Sequence, residues 1–434
     1  MSKSYLHALK AIACASLLAL GACAEEGAGR VVSIQTPQNS IDKAFLDHID
    51  PVLQAEVDEG VRAGFVAAVV TRDGVAYKKA FGEADPFNET PMTTDTRFRI
   101  ASMTKPIISV AVMQLVDRGA IRLNDPVEHF IPAYANPQVA VSKTRKADGS
   151  FETRPAKRSI TIHDLLTHTA GIGYVFSAAS DLDKAYLEAN LLVTEGDLKE
   201  RIDRIAALPL LTEPGEIWSY SYSIDILGYI IEAASGVPLE TYLMENIFTP
   251  LGMNGTEFFI DDSDFEGAAV VIEFNEAGEM VRSGGSALSS PVNDEAFGIA
   301  SGGAGLVSNV DDYARFMRML LNDGELDGAR ILSPATVRLM MQDHTPMNAR
   351  PEPWKNIGMT FGLGGYVVLE PGYMGNYAAK GDWGWAGYWD THFFVNREEN
   401  LGVLLLAQTQ PGPHMPPSRA EDLMKSIAYG AQRH

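Results

Sequence analysis

The sequence predicts an α+β fold in which one antiparallel sheet is built from both ends of the chain. Runs with the composition and alternation of strands occur near residues 65–81 and return at 364–369, 392–396 and 403–408. Segments with the three-to-four spacing of amphipathic helices dominate the residues between them. We therefore expect the end strands to pair in one sheet flanked by helices, with a mainly helical lobe formed by the middle of the chain.

The composition is that of an ordinary globular protein, and the charge narrows the range of partners. The chain has 434 residues, of which 46% are hydrophobic and 21% are charged, and its formal net charge is −21. Such an acidic surface argues against nucleic acid or an anionic membrane surface as a partner. The sequence contains no Gly-x-x-x-x-Gly-Lys-Ser/Thr, no Gly-x-Gly-x-x-Gly after a predicted strand and no His-Glu-x-x-His. Its oligomeric state is left open.

The first residues have the features of a targeting segment. Lys3 and Lys10 form a basic start, and the apolar run 11–20 is too short to span a bilayer. The string Leu20-Gly-Ala-Cys23 resembles the lipobox of bacterial lipoproteins. We expect residues 1–22 to be a signal peptide, Cys23 to carry the lipid and residues 23–40 to form a flexible tether. The protein would then face the periplasm in the bacterial cell envelope, in contact with the membrane only through this anchor.

Ordinary secretory cleavage close to this point is the alternative. Cys14 and Cys23 are the only cysteines, so loss of the signal peptide would leave a folded domain without a disulfide. That domain is expected over residues 41–434. Its α/β part would comprise about 41–101 and 301–434, and its helical lobe about 103–300.

Periodicity and turn residues predict the elements at the start of the domain. Residues 39–64 have the apolar spacing of one amphipathic helix, which Ser40 would cap and Gly64 would end. Strands at 65–71 and 75–81 follow, joined across Arg72-Asp-Gly74, which is a hairpin signal.

The next stretch, Ile100-Ala-Ser-Met-Thr-Lys-Pro-Ile107, is the strongest candidate for chemistry. No charged residue lies between Lys105 and Asp117, and a helix that is apolar on every face is a buried helix. Ser102 and Lys105 are three residues apart, so in the first turn of this helix they share a face. A serine hydroxyl is a weak nucleophile that needs an adjacent base, and burial at a helix N-terminus favours a neutral amine.

The Ser-x-x-Lys pattern by itself is weak, because the chain contains it twice. The second copy is Ser40-Ile-Asp-Lys43, in which Ser40 is interpreted as a helix N-cap. The wholly apolar helix behind Ser102 is what distinguishes the first copy.

The middle of the chain carries further helix signals and two segments that need interpretation. Residues 141–159 carry six cations against two acids, and we interpret them as a solvated surface loop rather than as a partner site. Ile160-Thr-Ile-His-Asp-Leu-Leu-Thr-His-Thr-Ala-Gly171 reads as a short capped helix ending at its glycine. No carboxylate joins His163 and His168 in a zinc pattern, so His168 is interpreted as a structural, hydrogen-bonding residue. Other helices are predicted at 182–211, 224–231, 311–321, 333–342 and 418–429.

Several short strings occur in a fixed order along the chain, over roughly residues 41 to 430. They are Ser102-Met-Thr-Lys105, Leu123-Asn-Asp-Pro126, the string from Ile160 to Gly171, Pro214-Gly215, Trp218-Ser-Tyr-Ser-Tyr-Ser-Ile-Asp-Ile-Leu-Gly228 and Ser301-Gly-Gly-Ala-Gly-Leu-Val-Ser308. In this order they resemble the serine β-lactamase and penicillin-binding-protein family, in its class C β-lactamase-like branch. The motifs are closest to those of the family VIII carboxylesterases. The Gly-x-Ser-x-Gly elbow of α/β-hydrolases is absent.

The resemblance implies a serine β-lactamase/DD-peptidase-like fold and a set of catalytic residues. Ser102 matches the acylated nucleophile of the family, and Lys105 matches its lysine. Tyr220 matches the tyrosine of the Tyr-x-Asn element, which helps to deprotonate the serine and later the deacylating water. The backbone N–H groups of Ser102 and Tyr388 would form the oxyanion hole.

Two departures from the family pattern bear on the substrate. Tyr222 stands where the Tyr-x-Asn element has the asparagine that grips a substrate amide. By this resemblance, the residues expected to contact substrate are Tyr222, Trp385, Ala386, Gly387 and Tyr388. Trp385-Ala386-Gly387 replaces the Lys-Thr-Gly strand, and the esterase branch usually has Trp-Gly-Gly there. The cation that pairs with the carboxylate of penicillins and D-Ala peptides is therefore missing, and loss of such a charged hydrogen bond typically costs about 1.5–3 kcal/mol. Trp383 and Trp385 would instead offer an apolar wall.

These features predict a serine hydrolase, with a carboxylesterase acting on small-molecule esters of short-to-medium acyl chains as the leading hypothesis. No metal or organic cofactor is expected. A β-lactamase or D-amino-acid peptidase with the same machinery is one alternative. A non-catalytic lipoprotein that binds the cell wall is an alternative of another class.

Overall fold

The computed structural model describes residues 40–189, 191–192, 196–259, 267–284, 299–373 and 375–433. The predicted signal peptide, Cys23 and all of the predicted tether except Ser40 lie outside the described residues. Among the helices that are described, none is long and apolar enough to cross a membrane.

The elements below are numbered in chain order. The strands are β1 Ser40–Ile41, β2 Gly64–Val70, β3 Val75–Asp85, β4 Thr90–Pro91, β5 Phe98–Arg99, β6 Gln138–Ala140, β7 Thr153–Pro155, β8 Ile272–Phe274, β9 Met280–Arg282, β10 Val307–Ser308, β11 Glu325–Leu326, β12 Ala329–Arg330, β13 Met359–Phe361, β14 Tyr366–Val368, β15 Trp383–Gly387, β16 Thr391–Asn396, β17 Leu401–Leu406 and β18 Gln432–Arg433.

The α-helices are α1 Lys43–Leu46, α2 Ile49–Asp58, α3 Thr104–Asp117, α4 Ile162–Leu166, α5 Asp181–Glu188, α6 Leu198–Ala206, α7 Ser223–Ser235, α8 Leu239–Leu243, α9 Thr249–Leu251, α10 Val310–Leu321, α11 Pro334–Met340, α12 Glu352–Asn356 and α13 Ala420–Gly430. A 3₁₀ turn, Ala101–Met103, leads directly into α3.

One antiparallel sheet forms the centre of the described domain. Its eight strands run in the order β13-β14-β15-β16-β17-β2-β3-β4. β17, near the end of the chain, pairs with β2, near its beginning, and Leu404 lies opposite Ala68. The two chain ends thus meet inside one sheet, and the predicted α+β fold is confirmed.

The sheet is covered on both faces, and its inner strand β2 has apolar side chains on each face because successive side chains of a strand alternate in direction. On one face, Val66, Ala68 and Val70 of β2 join the core that contains α3, α7 and α10. On the other face, Phe65 and Val69 join a smaller core whose helical members are Leu46, Ile49, Leu53, Ala420, Met424 and Ala428. Full burial of one Val, Leu, Ile, Phe or Met side chain contributes about 1.5–3 kcal/mol, so this two-sided strand holds both layers together.

The structure corrects the N-terminal prediction of one helix over residues 39–64. There are two helices, α1 and α2, and the cap of the first is Asp42, whose side chain accepts from the backbone N–H groups of Ala44 and Phe45. Ser40 is not a cap, because it belongs to β1 and lies opposite Arg433 of β18. A proline is accommodated only in the first turn of a helix, so Pro51 requires a new helix to begin at Ile49.

The predicted helix at residues 160–171 is shorter than expected. Thr161 and Asp164 form a capping box at the start of α4, which ends at Leu166. The chain then turns through His168, with φ of 53°, and Gly171, with φ of 80°. The basic segment 141–159 is mostly exposed, as a surface loop would be. Several of its cations pair with acids of the same chain, namely Arg145 with Glu188, Arg154 with Glu213, Lys157 with Glu216 and Arg158 with Asp164.

Candidate active site

Ser102 lies in a turn that is fixed from both sides. Its 3₁₀ turn follows β5, which pairs with β10, and the Ile100 N–H donates to the Leu306 carbonyl at 3.0 Å. The Tyr313 hydroxyl donates to the Met103 carbonyl at 3.0 Å. Ala101, directly before Ser102, has φ of 44°, a left-handed conformation that is costly for a residue with a Cβ. The serine is therefore presented by a strained turn at the start of the buried helix α3.

Lys105 is buried beside the serine, with 1% of its surface exposed. Its Nζ donates to Ser102 Oγ at 3.2 Å, to the Tyr174 hydroxyl at 3.4 Å and to the Gly303 carbonyl at 2.6 Å. An ammonium group has three N–H donors for these three partners, whereas a neutral amine would donate to Tyr174 and Gly303 and accept from the serine hydroxyl. The predicted pair of Ser102 and Lys105 is thus in direct contact.

Tyr220 comes to the same place from the loop before α7. Its ring lies under Lys105, with Nζ 4.6 Å from the ring centroid, a favourable cation–π distance. Its hydroxyl accepts a hydrogen bond of 3.2 Å from Trp385 Nε1. The structure therefore brings together Ser102, Lys105, Tyr220 and Trp385.

Tyr174 is a residue of this cluster that the sequence did not reveal. Besides its contact with Lys105, its ring lies edge-on to Tyr220 and Tyr222, with centroids 5.2 and 4.8 Å away. Burial raises the pKa of the Tyr174 hydroxyl well above its usual value, and the neighbouring Tyr220 and Asp225 act in the same direction. Tyr174 follows the string that ends at Gly171, but no local pattern marks it, because its role depends on contacts across the fold.

The expected contact between Tyr222 and substrate is not supported by this structure. Tyr222 is fully buried, and its hydroxyl hydrogen-bonds with the Leu191 backbone. Burial raises the pKa of this hydroxyl. With no exposed surface, Tyr222 is a packing residue behind Tyr174.

The strand β15 brings the remaining predicted residues to the edge of the site. A Cβ at Gly387 would clash with the Ile100 carbonyl oxygen, so the end of the strand lies against the nucleophile turn. Tyr388, next in the chain, is half-buried, and burial raises the pKa of its hydroxyl. Ala386 is one residue from Trp385, and successive side chains of a strand point to opposite faces. Its side chain therefore points away from Tyr220.

Only one of the two expected tryptophan walls is available. Trp385 is half-buried and reaches Tyr220, whereas Trp383 is fully buried and packs against Phe393, with ring centroids 5.9 Å apart. The wall next to Trp385 is formed instead by residues that the sequence did not indicate. The half-buried Trp354 and Trp218 continue the aromatic surface, with ring centroids 6.4 Å apart for Trp385 and Trp354 and 4.6 Å apart for Trp354 and Trp218. Phe361 is buried and packs behind Trp385, with ring centroids 5.2 Å apart.

Phe176 lies across the opening between the two sides of the site. Its ring is nearly parallel to that of Tyr388, with centroids 5.7 Å apart, and to that of Tyr220, with centroids 6.4 Å apart. About half of its surface, 52%, is exposed. One apolar side chain thus spans from the strand end to the catalytic tyrosine candidate.

His168 supports the cluster from behind. It is fully buried, its Nδ1 is 3.1 Å from Ser221 Oγ, and its ring centroid is 4.9 Å from that of Tyr220. Burial and the nearby Lys105 cation lower the pKa of His168 well below its usual value. Its neutral ring therefore acts in packing, in keeping with the structural role expected for it. Within the described ranges, no three His, Cys, Asp or Glu residues are grouped as a metal site.

Most of the chain is similar to known proteins. A family model described as Beta-lactamase matches residues 49–425. The chain is 31% identical to Esterase EstB of Burkholderia gladioli over 389 residues, which cover 85% of this chain and 92% of the esterase. It is 31% identical to Acyltransferase mokF of Monascus pilosus over 375 residues, which cover 78% of this chain and 87% of that protein.

A solved structure described as EstCE1, a hydrolase with promiscuous acyltransferase activity, has the same fold. It superposes with a TM-score of 0.76 at 27% identity, covering 90% of this chain and 99% of that chain. The extent of these matches confirms the family that the ordered motifs predicted. The chain belongs to the β-lactamase family, within the superfamily of serine β-lactamases and penicillin-binding proteins.

Proposed function

We propose that this protein is a serine carboxylesterase that works through an acyl-enzyme on Ser102. The observation that carries the proposal is the hydrogen bond of 3.2 Å between Lys105 Nζ and Ser102 Oγ at the start of a buried helix. A serine hydroxyl becomes nucleophilic when a base within hydrogen-bond reach can take its proton. Lys105 is in that position, and its other two acceptors fix where its nitrogen lies.

In the acylation step, Ser102 Oγ attacks the ester carbonyl while its proton moves to a neutral Lys105. The negative charge on the carbonyl oxygen would be stabilised by two backbone N–H groups. One belongs to Ser102, in the turn before α3, and the other to Tyr388, directly after β15. The Tyr220 hydroxyl would deliver a proton to the departing alcohol. Water then attacks the acyl-enzyme in the reverse sequence of proton transfers and releases the acid.

The substrate preference follows from what lines the site beside Ser102. Trp385 occupies the strand position at which lactam-binding members of the family have a lysine, so a substrate carboxylate has no cation there. The aromatic surface of Trp385, Trp354 and Trp218 suits an apolar acyl or alcohol group. The likeness to Esterase EstB supports the same preference.

The test compares p-nitrophenyl butyrate with nitrocefin on wild-type protein and on Ser102→Ala. We expect turnover of the ester, loss of that turnover in the variant, and little turnover of the lactam. Intact mass after exposure to an ester panel should show an acyl adduct in the wild type and none in Ser102→Ala. Faster turnover of nitrocefin would favour the β-lactamase alternative. A protein that gives neither turnover nor a fluorophosphonate adduct would favour the cell-wall-binding lipoprotein.

Acyl transfer to an alcohol is a second candidate activity. Two relatives are described by that activity, Acyltransferase mokF and EstCE1 with its promiscuous acyltransferase activity. In this chain, an apolar alcohol on the aromatic surface would compete with water for the acyl-enzyme. Adding such an alcohol to the p-nitrophenyl butyrate assay should then yield its butyrate ester, which mass spectrometry detects.

We also propose that the enzyme is a lipoprotein of the cell envelope. The support is the basic start, the apolar run 11–20 and the string ending at Cys23. Mass spectrometry of the mature protein should find an N-terminal Cys23 that carries acyl chains. An unmodified Cys23 or another N-terminus would contradict the proposal.

A further inference from the structure

A buried carboxylate behind the lysine takes part in none of the steps above. Asp225 lies in the first turn of α7, with 1% of its surface exposed. Its Oδ1 accepts a hydrogen bond of 2.6 Å from Ser301 Oγ and one of 2.9 Å from the Gly303 N–H. Its Oδ2 has no hydrogen-bond partner in the part of the chain that the structure describes. Burying a carboxylate costs free energy unless the group is hydrogen-bonded and paired with a positive charge.

Gly303 connects Asp225 to Lys105, because its N–H donates to the carboxylate and its carbonyl accepts from the lysine. The Gly303 carbonyl accepts the shortest of the three hydrogen bonds of Lys105, at 2.6 Å. Gly303 lies so close to Asp225 that any Cβ at this position would clash with the carboxylate. The same loop is joined to the nucleophile turn through the bond between Ile100 and Leu306. Asp225, Gly303, Lys105 and Ser102 therefore form one connected chain of contacts.

The charge of Asp225 acts on Lys105 through an electrostatic interaction rather than a direct contact. The other titratable groups that face Lys105 are Tyr174, Tyr220 and His168, none of which carries a carboxylate. Tyr174 and Tyr222 face Asp225 from the other side. Burial raises the pKa of Asp225, and the Lys105 cation opposes this rise. When Ser102 gives its proton to Lys105, the charge of the buried Asp225 carboxylate would act on the new ammonium.

We infer that Asp225 is a positioning residue that holds the Gly303 carbonyl against Lys105 and supplies the negative charge that favours the ammonium form of Lys105. The inference rests on the proposed function, because it concerns the base that activates Ser102. The carboxylate would thus have two effects, one on the position of the Gly303 loop and one on the charge near Lys105, and different variants can remove each of them.

The experiment measures kcat/KM for p-nitrophenyl butyrate against pH in the wild type, Asp225→Asn and Ser301→Ala. Asparagine keeps the shape of the carboxylate and can still accept from Ser301 and Gly303, but it removes the charge. Removal of a nearby negative charge favours the neutral amine, so the acid limb of the profile should move to lower pH by about one unit. Ser301→Ala keeps the charge and removes one hydrogen bond, so its acid limb should coincide with that of the wild type.

Coincident acid limbs for the wild type and a folded Asp225→Asn would overturn the inference and leave the proposed function intact. An equal shift in Ser301→Ala would also overturn it, because loop geometry alone would then explain the effect. If Asp225→Asn does not fold by circular dichroism, Asp225→Ser removes the charge with a smaller side chain, and the same criterion applies. A wild type without Ser102-dependent turnover would refute the proposed function itself, and this inference with it.

Discussion

At the residue scale, Ala101 adopts a strained backbone conformation directly before the candidate nucleophile Ser102. A left-handed conformation costs an ordinary residue about 1–2 kcal/mol, and such strain is found where the surrounding structure enforces it. Here the bond from Ile100 to Leu306 on one side and that from Tyr313 to Met103 on the other enforce it. The turn that contains this strained residue carries Ser102, whose Oγ lies 3.2 Å from Lys105 Nζ.

Replacement of Tyr220 separates its hydroxyl from its ring. Tyr220→Phe keeps the ring under Lys105 but loses the proton that the hydroxyl would deliver to the leaving alcohol. We expect kcat for p-nitrophenyl butyrate to fall about 10²–10⁴-fold, the usual range for loss of a general acid or base, with Tm nearly unchanged. Trp385→Phe is the matched control, because it removes the Nε1 donor and leaves the hydroxyl, so its loss should be smaller. A Tyr220→Phe enzyme within tenfold of the wild type would show that the hydroxyl is dispensable.

The position of Phe176 predicts that it limits the size of the acyl group. Phe176→Ala removes the ring that spans from Tyr220 to Tyr388, which widens the opening above Ser102. The ratio of kcat/KM for p-nitrophenyl octanoate to that for the butyrate should rise several-fold. Phe87→Ala is the control, since Phe87 is exposed to a similar degree, 42%, but contacts Arg282 instead. An unchanged ratio in Phe176→Ala would mean that longer chains enter by another route.

At the scale of elements, α13 is fixed to the sheet by a buried ion pair as well as by its apolar side chains. Lys425 Nζ is 2.9 Å from Asp382 Oδ2, and both side chains are almost completely buried. Asn396 Nδ2 donates to the same carboxylate at 2.8 Å, and the Tyr429 hydroxyl also donates to it. Breaking a buried pair is more costly than replacing it, because one partner is left as an uncompensated charge.

Lys425→Met should therefore lower the free energy of unfolding by about 3–5 kcal/mol. Urea denaturation measures this, and the double variant Asp382→Asn/Lys425→Met should recover much of the loss. Lys199→Met breaks the exposed pair of Lys199 and Asp203 and should cost less than about 1 kcal/mol. Equal effects of Lys425→Met and Lys199→Met would mean that solvent reaches the pair beneath α13.

Prediction from sequence succeeded for elements whose signal is local. The mainly apolar run after Lys105, which has no charged residue before Asp117, predicted α3. Arg72-Asp-Gly74 predicted the hairpin of β2 and β3. The single N-terminal helix was wrong, although Pro51 carried the information that a helix must begin close before it. The apolar spacing continues across residues 39–64, but the proline ring at position 51 is compatible only with the first turn of a helix, so one continuous helix cannot form.

The sequence indicated the candidate site residues that stand in motifs and missed those that depend on distant contacts. Ser102, Lys105 and Tyr220 stand in strings that can be recognised by their order along the chain. Tyr174 and Asp225 come together around Lys105 only because the loop after α4, the start of α7 and the loop at Gly303 meet there. The burial of Tyr222 and Trp383 likewise depends on packing between segments far apart in the sequence, and a single sequence contains no direct record of it.

At the scale of the whole molecule, a partly buried charge cluster between the sheet and α13 contributes to the dependence of stability on pH. His392 Nε2 is 2.8 Å from Asp390, and its Nδ1 is 3.0 Å from Glu421. These two carboxylates raise the pKa of His392 to about 10 against the desolvation that burial causes. His392 and Arg62 in turn lower the pKa of Asp390 to about 2.

The sign of each shift fixes the pH range of its contribution. The stability from His392 is complete below about pH 6.5, the ordinary pKa of histidine, and is lost as the pH rises toward 10. The stability from Asp390 is complete above about pH 4 and is lost as the pH falls toward 2. In urea titrations from pH 6 to 10, the midpoint of His392→Gln should fall less than that of the wild type. His414→Gln, at an exposed position, should follow the wild type, and parallel curves for all three proteins would contradict the assignment.

The pairing of β2 with β17 has a consequence for when the protein can fold. The paired residues Val70 and Gly402 are more than three hundred positions apart in the sequence, so the centre of the sheet closes a very long loop. Non-local strand pairing of this kind slows folding, because the entropy of loop closure is lost before the contacts are gained. A growing chain therefore cannot complete the centre of its sheet until β17 has been synthesised, more than three hundred residues after β2.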